Sequence, residues 1–394
     1  FVGNQAIGDG RLARKMKTNK KRWFLSFVTG RGTYLEDKFE EDAEKVVEDY
    51  RDRGYIAARV DQPEVKTLED ATDGKTRYVQ LRIPVREGNR YRVGEFDFEG
   101  NTVVKSEGLR PLFKVKSGDY YAEKHIRKGL EKAREVYGAG GYFEFTGYND
   151  PTAATAPGPA GPPIVDVVMR MQEGKQYFVN RITFLGNNTT RDNVIRREVR
   201  LFESGVFNTE ALKYSVKRLN QLGYFKNLEG DAIKVDKTPG ADNKVDVTLK
   251  FEEQNRNQLT FGAGVSQYDG FFGQLSFQTA NFMGRGETLT FAIQAGSRAK
   301  NSQTAFTEPF LFDRPITAGF DVFKRELRYI NQFTQKSTGG NVVFGYPLAD
   351  FTRGFLSYSY EGVTISDLNP LYNDPAFVQG NPFLADALLQ DRHP

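Results

Sequence analysis

The sequence predicts two architectures in one chain: α+β repeats of the order strand, helix, helix, strand, strand, followed by an incomplete antiparallel transmembrane β-barrel. Three observations carry this. Landmarks recur at spacings of 79–97 residues through the front of the chain, the signature of an array of small units. Charge thins abruptly near Glu253–Arg256: residues 257–394 hold 22 of the 106 Asp, Glu, Lys and Arg, half the density of the front. Beyond that break the chain alternates apolar with small or polar residues in runs of about ten, as barrel strands do.

The landmarks divide the front into residues 1–89, 90–175 and 176–255, with the barrel part at 256–394. A strand ends in Gly-Asn at Gly3-Asn4, Gly100-Asn101 and Gly186-Asn187. A second helix ends in Gly and an aromatic at Gly54-Tyr55, Gly141-Tyr142 and Gly223-Tyr224. A last strand ends in an acidic tail at Glu87-Gly88, Glu173-Gly174 and Glu252-Glu253. The third unit is the clearest. Tyr177–Leu185 alternates as a strand. Thr190-Arg191-Asp192-Asn193 opens a short helix through Val199. Asn208 or Thr209 caps a longer helix with the stripe Leu212, Val216, Leu219, and Gly223 ends it. Phe225–Val235 and Lys244–Phe251 read as a hairpin across Thr238-Pro239-Gly240-Ala241. In the second unit Asn149–Pro163 reads as a mobile loop. In the first, Lys15–Gly32 is a basic insert carrying Trp23, Phe24 and Phe27, read as a surface loop folding its aromatics onto its own domain.

In the back part, Leu259, Phe261, Ala263 and Val265 share one parity against Thr260, Gly262, Gly264 and Ser266, so one face is apolar. Phe271–Gln278 and Thr288–Gly296 repeat the pattern around the polar connection Asn281–Glu287. Further strands are read near Gln303–Thr307, Ile316–Val322, Gly339–Gly345 and Leu356–Tyr360, seven in all, and the pattern stops after Ser366. A soluble sandwich alternates too, and the hairpin by itself does not choose. Seven strands cannot close a lipid-exposed wall, and the chain opens at Phe1-Val2 as if inside a strand, so a fragment is expected.

Composition narrows the function. The net charge of +4 is too small to argue for nucleic acid, and the absence of cysteine excludes disulfides and thiolate metal sites. No run approaches the ~20 apolar residues of a membrane helix. His125 and His393, the two histidines, lie far apart without metal spacing, no Gly-x-Ser-x-Gly elbow occurs, and Gly138–Gly141 lacks the context of a nucleotide loop. No catalytic residue, cofactor or metal is expected.

In order and spacing these residues resemble the outer-membrane assembly factor superfamily, of the BamA type. The resemblance is carried by Ile182–Gly186 with Asn187, Arg191–Val199, Arg218–Phe225, Val245–Glu253 and the turn motif Asn281-Phe282-Met283-Gly284-Arg285-Gly286. It implies the third, fourth and fifth of five polypeptide-transport-associated (POTRA) repeats, then roughly the first seven of sixteen barrel strands. It further implies residence in the outer membrane with the repeats in the periplasm. The implied partners are unfolded outer membrane protein clients, accessory periplasmic lipoproteins and membrane lipid.

Under that resemblance the first barrel strand, with Leu259, Phe261, Gly262 and Gly264, is the candidate gate and template for client strands, its glycines weakening the strand. The candidate edge strands of the repeats are Ile56–Val60, Tyr142–Gly147 (with Phe143) and Asp231–Val235 (with Ile233). Arg196, Arg197 and Glu203, taken as the first helix of the third repeat, form a candidate lipoprotein dock. Asn281, Phe282, Gly284 and Gly286 form the barrel turn motif. Two other functions fit the same organisation: a two-partner-type secretion pore, and a porin or adhesin carrying a periplasmic scaffold.

Overall fold

The computed structural model describes residues 1–20, 32–70, 77–154, 161–266 and 270–380; most of the basic insert, with its aromatics, and His393 lie outside them. The chain divides into two compact units. The first comprises Phe1–Val179, Glu203–Glu210 and Thr238–Val245; the second comprises Asn180–Phe202, Ala211–Lys237 and Asp246–Pro394. The boundary runs through the third repeat.

In the first repeat, helices α1 (Asp9–Lys15) and α2 (Phe39–Arg51) precede strands β1 (Arg59–Val60), β2 (Glu64–Asp70), β3 (Arg77–Arg82) and β4 (Val85–Arg86). β1 pairs with β4 and β2 with β3, both antiparallel. The predicted strand Ile56–Val60 is thus only its last two residues. Ile56 sits in a turn and packs against the core of the second repeat.

The second repeat runs β5 (Arg92–Glu99), a short α3 (Ser106–Leu109), α4 (Glu123–Ala139), β6 (Thr146–Ala154) and β7 (Ile164–Gln172), in the sheet order β5-β7-β6. β5 is parallel to the central β7 and β6 antiparallel to it. Alternation places Val165, Val167, Met169 and Met171 in the core beneath Ile126, Ala133 and Tyr137 of α4. Two predictions shift here. Tyr142 and Phe143 lie in the turn before β6. Asn149–Ala154, read as mobile loop, is strand. Pro151 pairs opposite Val167 on an edge strand, the place in a sheet where proline is tolerated because its missing N–H costs no ladder bond.

The third repeat has β8 (Phe178–Leu185), α5 (Asp192–Arg196), α6 (Thr209–Leu222), β9 (Ile233–Lys237) and β10 (Lys244–Lys250), in the order β8-β10-β9. The predicted hairpin strand from Phe225 begins only at Ile233, and the predicted first helix ends at Arg196 rather than Val199.

The recurring landmarks prove to be one device. After the β-bridge of Val2 to Pro84 in the first repeat, and after β5 and β8 in the others, the backbone turns at a glycine of left-handed φ: +89° at Gly3, +80° at Gly100 and +86° at Gly186. A Cβ at Gly100 would stand 2.2 Å from the Met171 carbonyl oxygen, and one at Gly186 2.2 Å from that of Phe251, so only glycine fits. The following asparagine donates through Nδ2 to a carbonyl three residues on, at 2.9–3.0 Å in Asn4, Asn101 and Asn187. The acidic tail closes the knot. Glu87 accepts from Ala6 N and Tyr50 Oη, Glu173 from Thr102 N, Val103 N and Tyr137 Oη, and Glu253 from Thr189 N and Thr190 N. Tyr50 and Tyr137 stand four residues before the helix-ending glycine; the corresponding third-repeat residue is Leu219, which donates nothing.

The second unit continues into a seven-stranded antiparallel sheet in sequential order, an incomplete barrel wall: β11 (Asn257–Ser266), β12 (Gly270–Phe282), β13 (Glu287–Gly296), β14 (Ala299–Glu308), β15 (Thr317–Tyr329), β16 (Phe333–Ala349) and β17 (Thr352–Ser366). Its face through Phe261, Val265, Leu275, Phe291, Ile293, Phe320, Val322, Val342, Phe344, Leu356 and Tyr358 is exposed and apolar. The opposite face is polar: Gln274 pairs opposite Gln294, Asp321 opposite Asn341 and Asn341 opposite Ser359, and Gln303 donates to Asp321. The apolar band crosses the ladder obliquely. The row containing Phe261 runs through Leu275, Ile293, Ser302, Lys324, Thr338 and Gly362, and by β17 the band has moved four residues, to Tyr358. That is about 13 Å along the strand over roughly 29 Å of sheet, a tilt of roughly 25° in the sense a closing barrel requires.

Candidate functional site

β11 is the first edge of the wall. All ten of its residues pair with β12, from Asn257↔Thr279 to Ser266↔Gly270, and its other side has no partner strand among the described residues. Leu259 and Phe261 lie on the exposed apolar face. Gly262 and Gly264 lie on the opposite face: a Cβ would meet the Gln274 side chain at 2.8 Å and the Phe272 ring at 3.0 Å respectively. Small residues are needed there because β12 fills that space.

Chain direction places the β12–β13, β14–β15 and β16–β17 turns at the end of the wall where the repeats join it. The β12–β13 turn is the predicted motif, and the structure explains its residues. Asn281 Oδ1 accepts from Gly286 N at 2.8 Å, closing the turn, while Nδ2 donates to Thr190 Oγ1 at 2.8 Å. Phe282 is the last residue of β12 and pairs opposite Glu287. Gly284, at φ +71°, accepts from Arg191 N at 2.9 Å; a Cβ there would lie 1.9 Å from the Thr189 carbonyl oxygen. The Gly286 carbonyl accepts from the buried Tyr224 Oη at 3.1 Å. The turn therefore seats backbone to backbone on the loop that Glu253 ties down.

Arg197 belongs to this seat and not to an exposed dock. Its guanidinium lies beside Gly286 and 4.0 Å over the Phe310 ring of the β14–β15 turn. Burial draws its pKa down and pushes that of Tyr224 up. Arg196 is exposed, stacks on Phe184 and donates to the Ile182 carbonyl. Glu203 lies beyond the helix, in the turn before Phe207, so the predicted dock is not one helical face.

A second contact went unpredicted. At the β16–β17 turn, Asp350 accepts from Arg200 at 2.6 Å and from Tyr214 Oη at 3.2 Å. Phe351 packs 5.1 Å from the Tyr214 ring with Lys217 4.4 Å over it. The hydrogen bond from Arg200 holds the Asp350 carboxyl below its ordinary range. Sequence reading missed this because Asp350-Phe351 looks like any tight hairpin turn. Of the predicted repeat edges, Ile233 begins the edge strand β9, beside a groove of about 600 Å³ lined by Leu212, Val216, Asn220 and Ile233. Phe143 instead packs on Tyr177 and Phe207, and Tyr142 on Tyr137.

Comparison with known proteins agrees with this organisation. The family described as POTRA, surface antigen variable number repeat, matches residues 1–88, 91–174 and 177–254, and the Omp85 superfamily domain matches 281–391. The chain is 30% identical over 378 residues to the outer membrane protein assembly factor BamA of Neisseria meningitidis serogroup B, covering 94% of this chain and 45% of that protein. It is 25% identical over 354 residues to BamA of Nitratidesulfovibrio vulgaris, covering 89% and 42%. The chain thus spans less than half the length of these curated relatives. Among solved structures, BamA from Haemophilus ducreyi lacking POTRA domains 1–3 matches with TM-score 0.60 at 21% identity, covering 70% of this chain and 52% of that one. Haemophilus influenzae BamA POTRA3–5 matches with TM-score 0.51 at 22% identity, covering 64% and 94%. These likenesses concern the fold.

Proposed function

The chain belongs to the POTRA-repeat family and carries an Omp85 superfamily domain behind its repeats, and from that premise we propose that it is the core of a machine that folds and inserts β-barrel proteins. It resides in the outer membrane with its repeats in the periplasm. Its work is hydrogen bonding. A client must complete its strand ladder before its backbone meets hydrocarbon, because each unpaired N–H or C=O there costs several kcal/mol. An edge that offers its own ladder lets the client pair first and enter afterwards.

The observation that carries this reading is the wall itself: seven sequential antiparallel strands with an exposed apolar face, entered at β11 directly from the third repeat. Clients join the wall beside Leu259 and Phe261, and the repeats hold extended segments earlier by strand addition at β6 and β9. Accessory lipoproteins dock on the third repeat beside Glu203; Glu203→Lys should reduce their co-purification, and an unchanged yield would remove that dock.

The gate is tested in the full-length protein by a disulfide joining Leu259→Cys to the last barrel strand. Client insertion should stop when the bridge is oxidised and resume on reduction; insertion that continues through an intact bridge refutes a seam at β11. Depletion separates assembly from export: many unrelated barrels disappear in the first case, one secreted protein in the second.

A further inference from the structure

Three turns face the repeat end of the wall, and each holds a bulky apolar residue in the left-handed backbone region: Met283 at φ 51°, Phe312 at φ 54° and Phe351 at φ 61°. Large L-residues rarely adopt that conformation, which glycine or asparagine would take without strain. Backbone strain kept at such a place points to use of the side chain. For Phe351 the use is visible in its contact with Tyr214 and Lys217. Phe312 is different. It is 86% exposed, at the tip between β14 and β15, with Asp313 also left-handed at φ 58°.

Two further observations say what covers it. Arg314, two residues on, is exposed and makes no ion pair among the described residues, its neighbour Asp313 included, so the tip offers a ring and a guanidinium together. The tip also continues the apolar face: Phe306 on β14 and Phe320 on β15 are that face's large residues nearest this turn, and on β16 the same file runs through Phe344 and Tyr346 to Leu348, which is 71% exposed. A ring at the acyl boundary with an arginine reaching a phosphate is how a protein seats itself in a lipid interface.

We propose that Phe312 and Arg314 form an interfacial anchor, the ring entering the periplasmic leaflet and the guanidinium binding the phosphate of a phospholipid headgroup. Met283, 66% exposed on the β12–β13 turn, offers a second apolar side chain at the same rim, but its neighbour Arg285 is ion-paired with Glu287. The anchor fixes the depth of the rim in the leaflet on either side of the Gly284 seat.

The proposal rests on the wall spanning the membrane, and its test separates the two. Full-length protein carrying Phe312→Trp is folded into phosphatidylcholine–phosphatidylglycerol vesicles with plain or brominated acyl chains, beside Phe261→Trp from the middle of the apolar face. Bromination should quench the emission added by either tryptophan by about twofold or more. Phe261→Trp quenched with Phe312→Trp unaffected overturns the anchor and leaves the wall in place; neither quenched overturns the membrane reading itself. Adding Arg314→Gln to Phe312→Trp should weaken the quenching in phosphatidylglycerol-containing vesicles, and unchanged quenching there removes the arginine from the site.

Discussion

At the scale of single residues the repeats are held by carboxylates working as knots. Glu173 is the best served. Burial would raise its pKa, but the hydrogen bonds from Thr102, Tyr137 and the Thr102 and Val103 amides outweigh this and hold it below the ordinary value. A carboxyl whose pKa is lower folded than unfolded stabilises above its unfolded pKa, and that stability is lost as pH falls through the folded one. Glu173→Gln should therefore lower stability at neutral pH and flatten the acid limb of a denaturation curve followed by circular dichroism. Asp49 follows the same sign. Burial opposes ionisation, yet Arg11 and Lys15 hold it at about 2, so its contribution fades between about pH 4 and pH 2. Asp49→Asn should cost about 1 kcal/mol at pH 7 after solvent screening, and almost nothing at pH 2. Gly186→Ala, forced into left-handed φ against the Phe251 carbonyl, should cost on the order of 1–3 kcal/mol in urea denaturation. The ingredients of these knots were legible in the sequence as three recurring landmarks. Their closure on one another was not, because Glu173 reaches across 71 residues to Thr102.

At the scale of elements, alternation located the strands and erred at their ends. Ile56, Tyr142 and Phe143 follow helix-ending glycines, and the chain makes one more turn there before extending; their apolar character serves packing in the turn and not the ladder. Asn149–Ala154 misled through its composition. Proline and alanine read as loop, but an edge strand tolerates both. The contrast is measurable. Pro151→Ala should change stability by less than about 1 kcal/mol, while Val167→Pro, on the central strand directly opposite, should cost about 3 kcal/mol or more. Equal effects in urea denaturation would show that β6 is not an edge. The barrel strands came out longer than the sequence suggested, 17 residues in β16 against a predicted core of Gly339–Gly345, because Lys336 and the other polar residues of its far end break the apolar pattern without breaking the strand.

At the scale of the whole chain, the charge break near Arg256 marked where repeats give way to wall, and the turn motif was visible as a motif. Its partners were not: Asn281 meets Thr190 across 91 residues, and nothing local announces Tyr224, Arg200 or Tyr214. The two contacts at the repeat end of the wall differ in kind. The Gly284 seat is backbone against backbone. The Asp350–Arg200 contact is an exposed ion pair with a ring stack and should yield to salt. Nitroxide labels on the β16–β17 turn and on α6 should report a broadened distance distribution in Asp350→Asn or at high ionic strength, with the β12–β13 turn unmoved; equal loosening of both turns would contradict the distinction.

The apolar file of β16 does not stop at the rim. Val342, Phe344, Tyr346 and Leu348 lead straight into Asp350-Phe351, and Phe351 rests on α6. The same strand that meets hydrocarbon therefore ends in a ring contact with a helix of the last repeat. A thicker bilayer should draw more of that file into hydrocarbon by hydrophobic matching, and the load would be borne where Phe351 meets Tyr214.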